Sequence, residues 1–189
     1  MKIDNFYTAF GYLTCEFAEL EADLRVLIAG LSFGDNMVTA AVFLDSSQLA
    51  ENTAMLRKLA RQYSNYEVEM VVIARHIEKL RETRNLLIHG LWEPGNFSAG
   101  SGVATVRDLN CSYKKLPNGR KWTWGKGKEY SLKDFNDLLK EIRAINALIE
   151  ALCQKLEKDD ELEFNQFGTV FQGRRTRVRI ADDGGLELN

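Results

Sequence analysis

The chain has 189 residues and a formal net charge of −2, from 25 Lys and Arg against 27 Asp and Glu. This near balance excludes a uniformly basic nucleic-acid coat protein, although it is compatible with a local positively charged patch. With 45% hydrophobic and 28% charged residues, the sequence also excludes an intrinsically disordered chain. The length is typical of one compact domain.

The three cysteines, Cys15, Cys111 and Cys153, show no paired spacing. Their pattern predicts neither a disulfide framework nor a cysteine-based metal site, and we expect each to act as a small hydrophobic residue in a reducing compartment. The N-terminus has no basic-then-apolar signal region. No uncharged apolar run approaches the roughly 20 residues that cross a bilayer. The sequence therefore predicts a soluble, cytoplasmic protein that does not contact membranes.

The first predicted element is a long helix, because apolar residues recur at alternating spacings of four and three. This stripe consists of Phe6, Phe10, Leu13, Phe17, Leu20, Leu24, Leu27 and Leu31. Asp4 fits the N-cap of the helix, and Gly30 and Gly34 lie where it would stop. Residues 35–44 are apolar and ambiguous, with a short helix as one interpretation.

Two further helices are predicted before the first proline. The second begins after a cap at Ser46 or Ser47, and its inward residues are Leu49, Leu56, Leu59 and Tyr63. The third spans about residues 66–89, and its stripe is Met70, Ile73, Ile77, Leu80, Arg84, Leu87 and Leu91. Arg84 therefore occupies an apolar position. Gly90 suits the left-handed residue that closes a helix, and Pro94 prevents a long continuation.

Between Leu91 and Tyr130 the pattern changes to glycines and β-favouring residues. The sequence Pro117-Asn118-Gly119 predicts a turn between two candidate strands, at about residues 103–115 and 120–130. We therefore predict a β-hairpin insertion over residues 91–130.

A fourth helix is predicted after Ser131-x-x-Asp134, which resembles a capping box with Asp in place of Glu. Its stripe is Phe135, Leu138, Ile142, Ile145, Ile149, Leu152 and Leu156. Residues 161–189 are interpreted either as a C-terminal strand, from the alternation around Val178, or as a flexible tail with residues 182–189 disordered. The predicted fold is mainly α. It is an antiparallel bundle of about four long helices over residues 1–160, with the β-hairpin inserted between helices 3 and 4.

The segment most suited to chemistry runs from Arg81 to Gly90, with the sequence RETRNLLIHG. On a helix, Arg81, Asn85 and His89 are spaced i, i+4, i+8 and share one face. His89 lies in the last turn, where the negative end of the helix dipole favours an imidazolium. A histidine can move a proton while an arginine fork holds phosphate oxygens, so this segment suits phosphoryl chemistry.

The Arg-x4-His spacing, with Asn directly after the Arg and the motif ending the third helix, resembles the HEPN superfamily. The resemblance covers about residues 4–158 without the hairpin. It implies a metal-independent endoribonuclease without cofactors, of the kind found in toxin–antitoxin, phage-defence and RNA-processing systems. It also implies attack of a ribose 2′-hydroxyl on the adjacent phosphate, with His89 as general acid or base, Arg84 stabilising the phosphorane and Asn85 orienting the phosphate or His89.

The spacing of Arg84 and His89 bears on the oligomeric state. A five-residue step places them about 140° apart on an ideal helix, so one helix does not bring their side-chain ends together. Members of the HEPN superfamily appose motifs from two protomers, which implies a homodimer with the third helix at the interface. The toxin interpretation further implies an antitoxin or regulatory protein as a partner.

Structural explanations compete with this chemistry. Arg84 is alternatively an ion-pair partner for a helix-1 acid, namely Glu16, Glu19 or Glu21, and His89 is alternatively only a C-terminal cap. The corresponding functional alternative is a non-catalytic HEPN-fold interaction module that binds a protein partner or nucleic acid. His76 lies among charged residues and is expected at the solvated surface.

Positive charge is concentrated in residues 103–128, where seven Lys and Arg residues accompany one acid, Asp108. This composition predicts an RNA-binding hairpin. The predicted RNA-binding residues are Arg81, Lys114, Lys115, Arg120, Lys121, Trp122, Trp124, Lys126 and Lys128. On a strand Trp122 and Trp124 share one face, where their rings would stack on bases. The alternative is that both tryptophans pack onto the helices as core residues.

Overall fold

The computed structural model describes residues 6–33, 36–93, 103–109, 112–117, 119–123, 125, 127–159, 178–180 and 186–188. The fold is mainly helical with a small three-stranded antiparallel sheet. The α-helices within these residues are α1 (Phe6–Phe33), α2 (Met37–Leu44), α3 (Leu49–Ala60), α4 (Glu67–His89) and α5 (Leu132–Lys158). A single 3-10 turn, Ser64–Tyr66, leads into α4.

The described strands pair in antiparallel fashion and form three groups. The three-stranded sheet has the order β1 (Leu91–Trp92), β2 (Val103–Arg107), β5 (Gly127–Ser131). One two-stranded ribbon pairs β3 (Ser112–Leu116) with β4 (Gly119–Thr123). The other pairs β6 (Val178–Ile180) with β7 (Leu186–Leu188). Residues 186–188 had been expected in a disordered end, and they instead form a strand.

Each of the two strands predicted around the 117–119 turn is interrupted. Arg107 lies opposite Gly127 at the end of the β2–β5 pairing, and Ser112 lies opposite Thr123 at the start of the β3–β4 ribbon. Between these two register points the chain has four residues on one side and three on the other, so the two pairings differ in register by one residue.

The chain divides into two compact units. The first unit contains Met1–Cys15 and Glu82–Leu139, and the second contains Glu16–Arg81 and Lys140–Asn189. The first unit therefore holds the sheet and the last two turns of α4, and the second holds α2, α3 and most of the helical residues.

Aromatic residues form the core of the first unit. The Phe135 ring is fully buried, and its centroid lies 5.9 Å from that of Phe6, 6.0 Å from Tyr130 and 6.1 Å from Trp92. Trp92 also packs edge-to-face on Phe10, with centroids 5.3 Å apart. These distances are those of favourable aromatic pairs, so three separate segments of chain are joined by one cluster.

The predicted apolar stripes form the core of the second unit. They are buried at Phe17, Leu20, Leu24, Leu27 and Leu31 in α1, at Met70, Ile73, Ile77 and Leu80 in α4, and at Ile142, Ile145, Ile149, Leu152 and Leu156 in α5. These stretches of helix were predicted from spacing alone, and the burial confirms the faces that they present to the core.

Several predicted ends and positions are corrected by the structure. α1 continues through Gly30 to Phe33. α3 begins after Gln48 and not after Ser46 or Ser47, and the backbone N–H of Gln48 donates to Glu51 Oε2 at 2.9 Å. Leu91, expected inside, is half-exposed because it lies on the edge strand β1. Asp4 and Gly34, the proposed ends of α1, lie outside the described residues.

The ambiguous apolar stretch forms α2, which begins after Asn36, whose side-chain oxygen accepts from Thr39 N–H at 3.1 Å. Val38, Val42 and Phe43 are exposed on this helix. None of the α-helices in the described ranges combines the length and apolar character that a bilayer crossing requires.

The cysteines differ in their surroundings. Cys153 is buried, as expected of a small hydrophobic residue, and burial raises the pKa of its thiol. Cys15 is exposed, and Cys111 lies outside the described residues.

Candidate functional site

The RETRNLLIHG segment forms the C-terminal end of α4. The helix ends at His89, and the next backbone N–H, that of Gly90, donates to Leu86 O at 2.8 Å. The segment then enters β1, whose Leu91 lies opposite Arg107 of β2. The end of the helix is thereby fixed to the edge of the three-stranded sheet.

Gly90 is required for space rather than for a left-handed backbone. A Cβ atom at this position would overlap Leu86 O and lie 2.6 Å from Val106 Cγ1, closer than real side chains approach. Among the described glycines, only Gly119 has a positive φ, at 144°. The predicted left-handed closure at Gly90 is therefore wrong, and the reason for glycine is the close approach of β2.

Trp92 fastens the other side of this junction. Its indole Nε1–H donates to Leu87 O at 2.9 Å, and its ring packs between Phe10 and Phe135. Leu87 O is one of the last carbonyls of α4, which have no partner within the helix, so the indole satisfies a group that would otherwise need water. Sequence reasoning missed Trp92, although a Trp shortly after a helix end is a usable signal for such a bond.

The three predicted catalytic residues lie on the last two turns of α4 and differ in exposure. Asn85 and His89 are exposed, whereas Arg84 is half-buried with its Nε atom shielded from solvent. Arg84 lies in the stripe between Leu80 and Leu87, both buried. A guanidinium with a partly buried stem keeps its terminal nitrogens in a limited region, while the exposed imidazole is accessible to a substrate.

Arg81 is the remaining predicted residue of this segment. It is half-buried on the same continuous helix and belongs to the second compact unit. The i, i+4, i+8 spacing with Asn85 and His89 is retained, because α4 has no break between Glu67 and His89.

Ion pairs involve two residues that were considered from the sequence, Glu16 and His76. Glu16, one of the three acids considered for Arg84, accepts from Arg143 Nε at 2.8 Å, and this hydrogen bond raises the pKa of Arg143. His76 is not a solvated surface residue: its side chain is 14% exposed, and Nδ1 lies 3.3 Å from Glu141 Oε1. Lys79 Nζ lies 3.3 Å from the same oxygen.

The β3–β4 register brings positively charged residues into direct opposition. Lys114 lies opposite Lys121, and Lys115 lies opposite Arg120. Pairs of like charge at opposed positions are unfavourable in an antiparallel ribbon unless an anion compensates them. Four of the predicted RNA-binding residues are thus adjacent in the fold.

The predicted stacking platform is only partly described. Trp122 lies in β4 opposite Tyr113, whereas Trp124 and Lys126 lie outside the described residues.

Two positively charged side chains of the three-stranded sheet, those of Lys128 and Arg107, contact other residues. Lys128 is exposed, with Nζ 5.0 Å from the centroid of the Tyr130 ring, a cation–π distance that leaves the ammonium at the surface. Arg107 Nε donates to Glu93 Oε1 at 2.8 Å. Glu93 thus neutralises one of the seven positive charges in residues 103–128, a pairing that the segment's composition did not reveal.

In the part of the chain that the structure describes, no group of three or more His, Cys, Asp or Glu side chains is placed to hold a metal ion. Comparison of the chain with protein-family models, curated proteins and solved structures found no match. The functional conclusion therefore rests on the end of α4 and the β-ribbon.

Proposed function

We propose that the protein is a HEPN-like endoribonuclease that cleaves RNA without a metal ion and serves as a toxin or defence component. In this proposal the helices form an antiparallel bundle into which the β-hairpin is inserted. The observation that supports it best is the arrangement at the end of α4, where half-buried Arg84 adjoins exposed Asn85 and His89. This arrangement puts a partly shielded guanidinium and an accessible imidazole on one helix end, as phosphoryl chemistry requires.

Arg84 supplies positive charge at a defined place. Because its Nε is shielded and its stem lies in the stripe with Leu80 and Leu87, its side chain loses less conformational freedom when it binds phosphate than an exposed arginine does. A preorganised guanidinium is most effective where negative charge develops, which in RNA cleavage is the phosphorane.

His89 and Asn85 complete the proposed chemistry. His89 accepts the proton of the ribose 2′-hydroxyl as the 2′ oxygen bonds to phosphorus and the bond from phosphorus to the 5′ oxygen breaks. The leaving 5′ oxygen takes a proton from water, and His89 returns the proton it accepted to the solvent, so the products are a 2′,3′-cyclic phosphate and a 5′-hydroxyl. Asn85 hydrogen-bonds and orients the phosphate or the imidazole.

A second copy of the chain is part of this proposal. The five-residue step separates Arg84 from His89 by about 140° around α4. A homodimer with α4 at its twofold axis brings Arg84 of one protomer toward His89 of the other, which is the isologous arrangement that two identical helix ends permit.

RNA binding in this proposal depends on the β3–β4 ribbon. The opposed pairs Lys114–Lys121 and Lys115–Arg120 concentrate positive charge that phosphates would compensate. The ribbon follows α4 within the same compact unit, together with Lys128. Trp122 and Trp124 are proposed to stack on bases.

The proposal is tested by incubating purified protein with structured RNA in EDTA and mapping the product ends. We expect cleavage by the wild type, with 2′,3′-cyclic phosphate ends, and loss of about 10²–10⁴-fold in rate for His89→Ala, the range typical of a lost general acid or base. Arg84→Ala is expected to lose about 10²–10³-fold, as for other removed charge-stabilising donors. Arg75→Ala, an exposed arginine on the same helix, is the matched control.

The outcomes separate the proposal from the binding-module alternative. Equal cleavage by wild type and both variants, or no cleavage at all, overturns the nuclease assignment. RNA binding without cleavage supports the non-catalytic module. This module is the second candidate because the positive charge of the β3–β4 ribbon could bind RNA without the Arg84 motif.

A further inference from the structure

A positively charged pocket lies in the second compact unit and includes none of the residues proposed for RNA cleavage or RNA binding. It has a volume of about 260 Å³ and is formed by one side of α3 together with Glu78 of α4. Its lining residues are Ala50, Thr53, Ala54, Arg57, Lys58, Arg61 and Glu78. The hydroxyl of Thr53 donates back to Leu49 O at 2.7 Å.

Charge at this cavity is strongly unbalanced. Arg57 is paired with Glu78, whereas the described residues offer no ion-pair partner for Lys58 or Arg61. The three cations and one acid leave a net charge of +2 on the lining. Like charges that line one pocket repel one another, and a bound anion relieves that repulsion.

The negative end of the α3 dipole does not by itself compensate the positive charges of Arg57, Lys58 and Arg61. The carbonyl end of α3 favours cations, and Arg57 and Lys58 lie in its last turn. That end is equivalent to only about half a negative charge. Arg61 follows the last helical residue, so the positive charge at the cavity exceeds what the helix dipole compensates.

We infer that this cavity binds a phosphomonoester group. A phosphomonoester carries about −1.5 to −2 charges at pH 7, which matches the net charge of the lining, whereas a backbone phosphodiester carries about one. Two arginine forks suit its oxygens. The volume lies slightly below the range of about 300–1,000 Å³ for sites of drug-sized ligands, and it therefore fits a phosphate with a small attached group.

Glu78 is expected to weaken anion binding at this pocket. Its carboxylate is paired with Arg57, and a phosphate must compete with it for the guanidinium. Glu78→Gln removes that competition together with one negative charge, so this variant binds the anion more tightly than the wild type.

The test is isothermal titration of the full chain with inorganic phosphate, with a nucleoside 5′-monophosphate and with a short RNA that lacks terminal phosphates. We expect saturable binding of the first two ligands, and about tenfold weaker binding for Lys58→Ala and for Arg61→Ala, the loss of one charge-assisted contact each. Lys158→Ala, which removes an exposed lysine from the end of α5, is the matched control and leaves the affinity unchanged.

Two results overturn the inference. One is the absence of saturable phosphate binding, or equal binding by the wild type and the Lys58→Ala, Arg61→Ala double variant. The other is binding of the RNA without terminal phosphates that depends on Lys58 and Arg61, because this assigns the cavity to the RNA backbone. Because Lys58 and Arg61 have no part in the proposed ribonuclease site, loss of phosphate binding in their variants with RNA cleavage retained is distinct from failure of the nuclease proposal, on which this inference does not rest.

Discussion

The indole of Trp92 donates its N–H to the carbonyl oxygen of Leu87 at 2.9 Å, and this bond ties β1 to the last turn of α4. Leu87 lies two residues before His89, so the bond restrains the backbone that presents the imidazole. The Trp92 ring is itself fixed by Phe10 and Phe135. The position of the candidate site thus depends on an aromatic cluster built from three segments of the chain.

Trp92→Phe removes the donor and keeps an aromatic ring in the cluster. We expect the free energy of unfolding to fall by about 1–2 kcal/mol, because Leu87 O loses its hydrogen bond and the smaller ring fills the site less completely. Urea denaturation measures this change, and the RNA cleavage assay reports whether the end of α4 has shifted. Unchanged stability would show that the bond does not restrain the helix end.

Gly90→Ala places a methyl group against Leu86 O and Val106 Cγ1. We expect destabilisation by about 1–3 kcal/mol, because either β2 or the helix end must move to accommodate it. Gly11→Ala is the matched control, since nothing lies within 4 Å of a Cβ there and the position is helical. That control is expected to gain about 1 kcal/mol from helix propensity. Thermal unfolding of both variants distinguishes close approach from a general effect of adding a methyl group.

The cap of α5 has a predicted pH dependence. The Ser131 hydroxyl donates to Asp134 Oδ2 at 2.6 Å and the Ser131 N–H donates to the same oxygen at 2.7 Å, and these bonds lower the pKa of the Asp134 carboxyl below its ordinary value of 3.8. A lowered folded-state pKa means that the stabilisation is present above about pH 4 and is lost as pH falls through the folded value. We expect Asp134→Ala to cost about 1 kcal/mol at neutral pH and progressively less at lower pH.

Urea denaturation of wild type and Asp134→Ala from pH 7 to pH 2.5 measures this difference. A cost that stays constant down to pH 2.5 would contradict the assignment of the cap to the ionised carboxylate.

The hairpin charges are tested through salt dependence. Reversing the charges at Lys121, Lys126 and Lys128 is expected to weaken RNA binding and to flatten its dependence on salt concentration. Each lost phosphate contact lowers the slope of log K against log salt by about 0.7 for a single strand. Lys158→Glu, at the end of α5, is the control for a change in net charge. If the slope is unchanged by the triple variant, the hairpin does not bind the RNA backbone.

The long helices were predictable because a helix repeats its pattern over many turns. The stripes of α1, α4 and α5 each contain enough apolar positions to fix a buried face, and the Ser131–Asp134 cap was recognisable from two residues. Arg84 was recognisable as an exception to a stripe, and its half-buried position agrees with that expectation.

The interrupted hairpin and the surroundings of the site were not predictable from local pattern. The one-residue excess of 108–111 over 124–126 depends on which strands pair, and the Arg107–Glu93 pair joins residues from different strand segments. Gly90 was predicted to adopt a left-handed backbone conformation, whereas glycine is needed there because Val106 leaves no space for a Cβ atom. No rule of sequence spacing relates Gly90 to Val106. Such contacts depend on tertiary structure, which a single sequence does not specify residue by residue.

The central claim, that Arg84 of one protomer and His89 of another form one ribonuclease site, is tested most directly by mixing Arg84→Ala with His89→Ala. Each variant alone is predicted to retain at most about 1% of wild-type cleavage. An equimolar mixture that has exchanged subunits is predicted to recover about a quarter of wild-type cleavage, because half of the dimers are mixed and each has one intact site of two. A mixture that stays inactive while the wild type cleaves RNA would contradict the account.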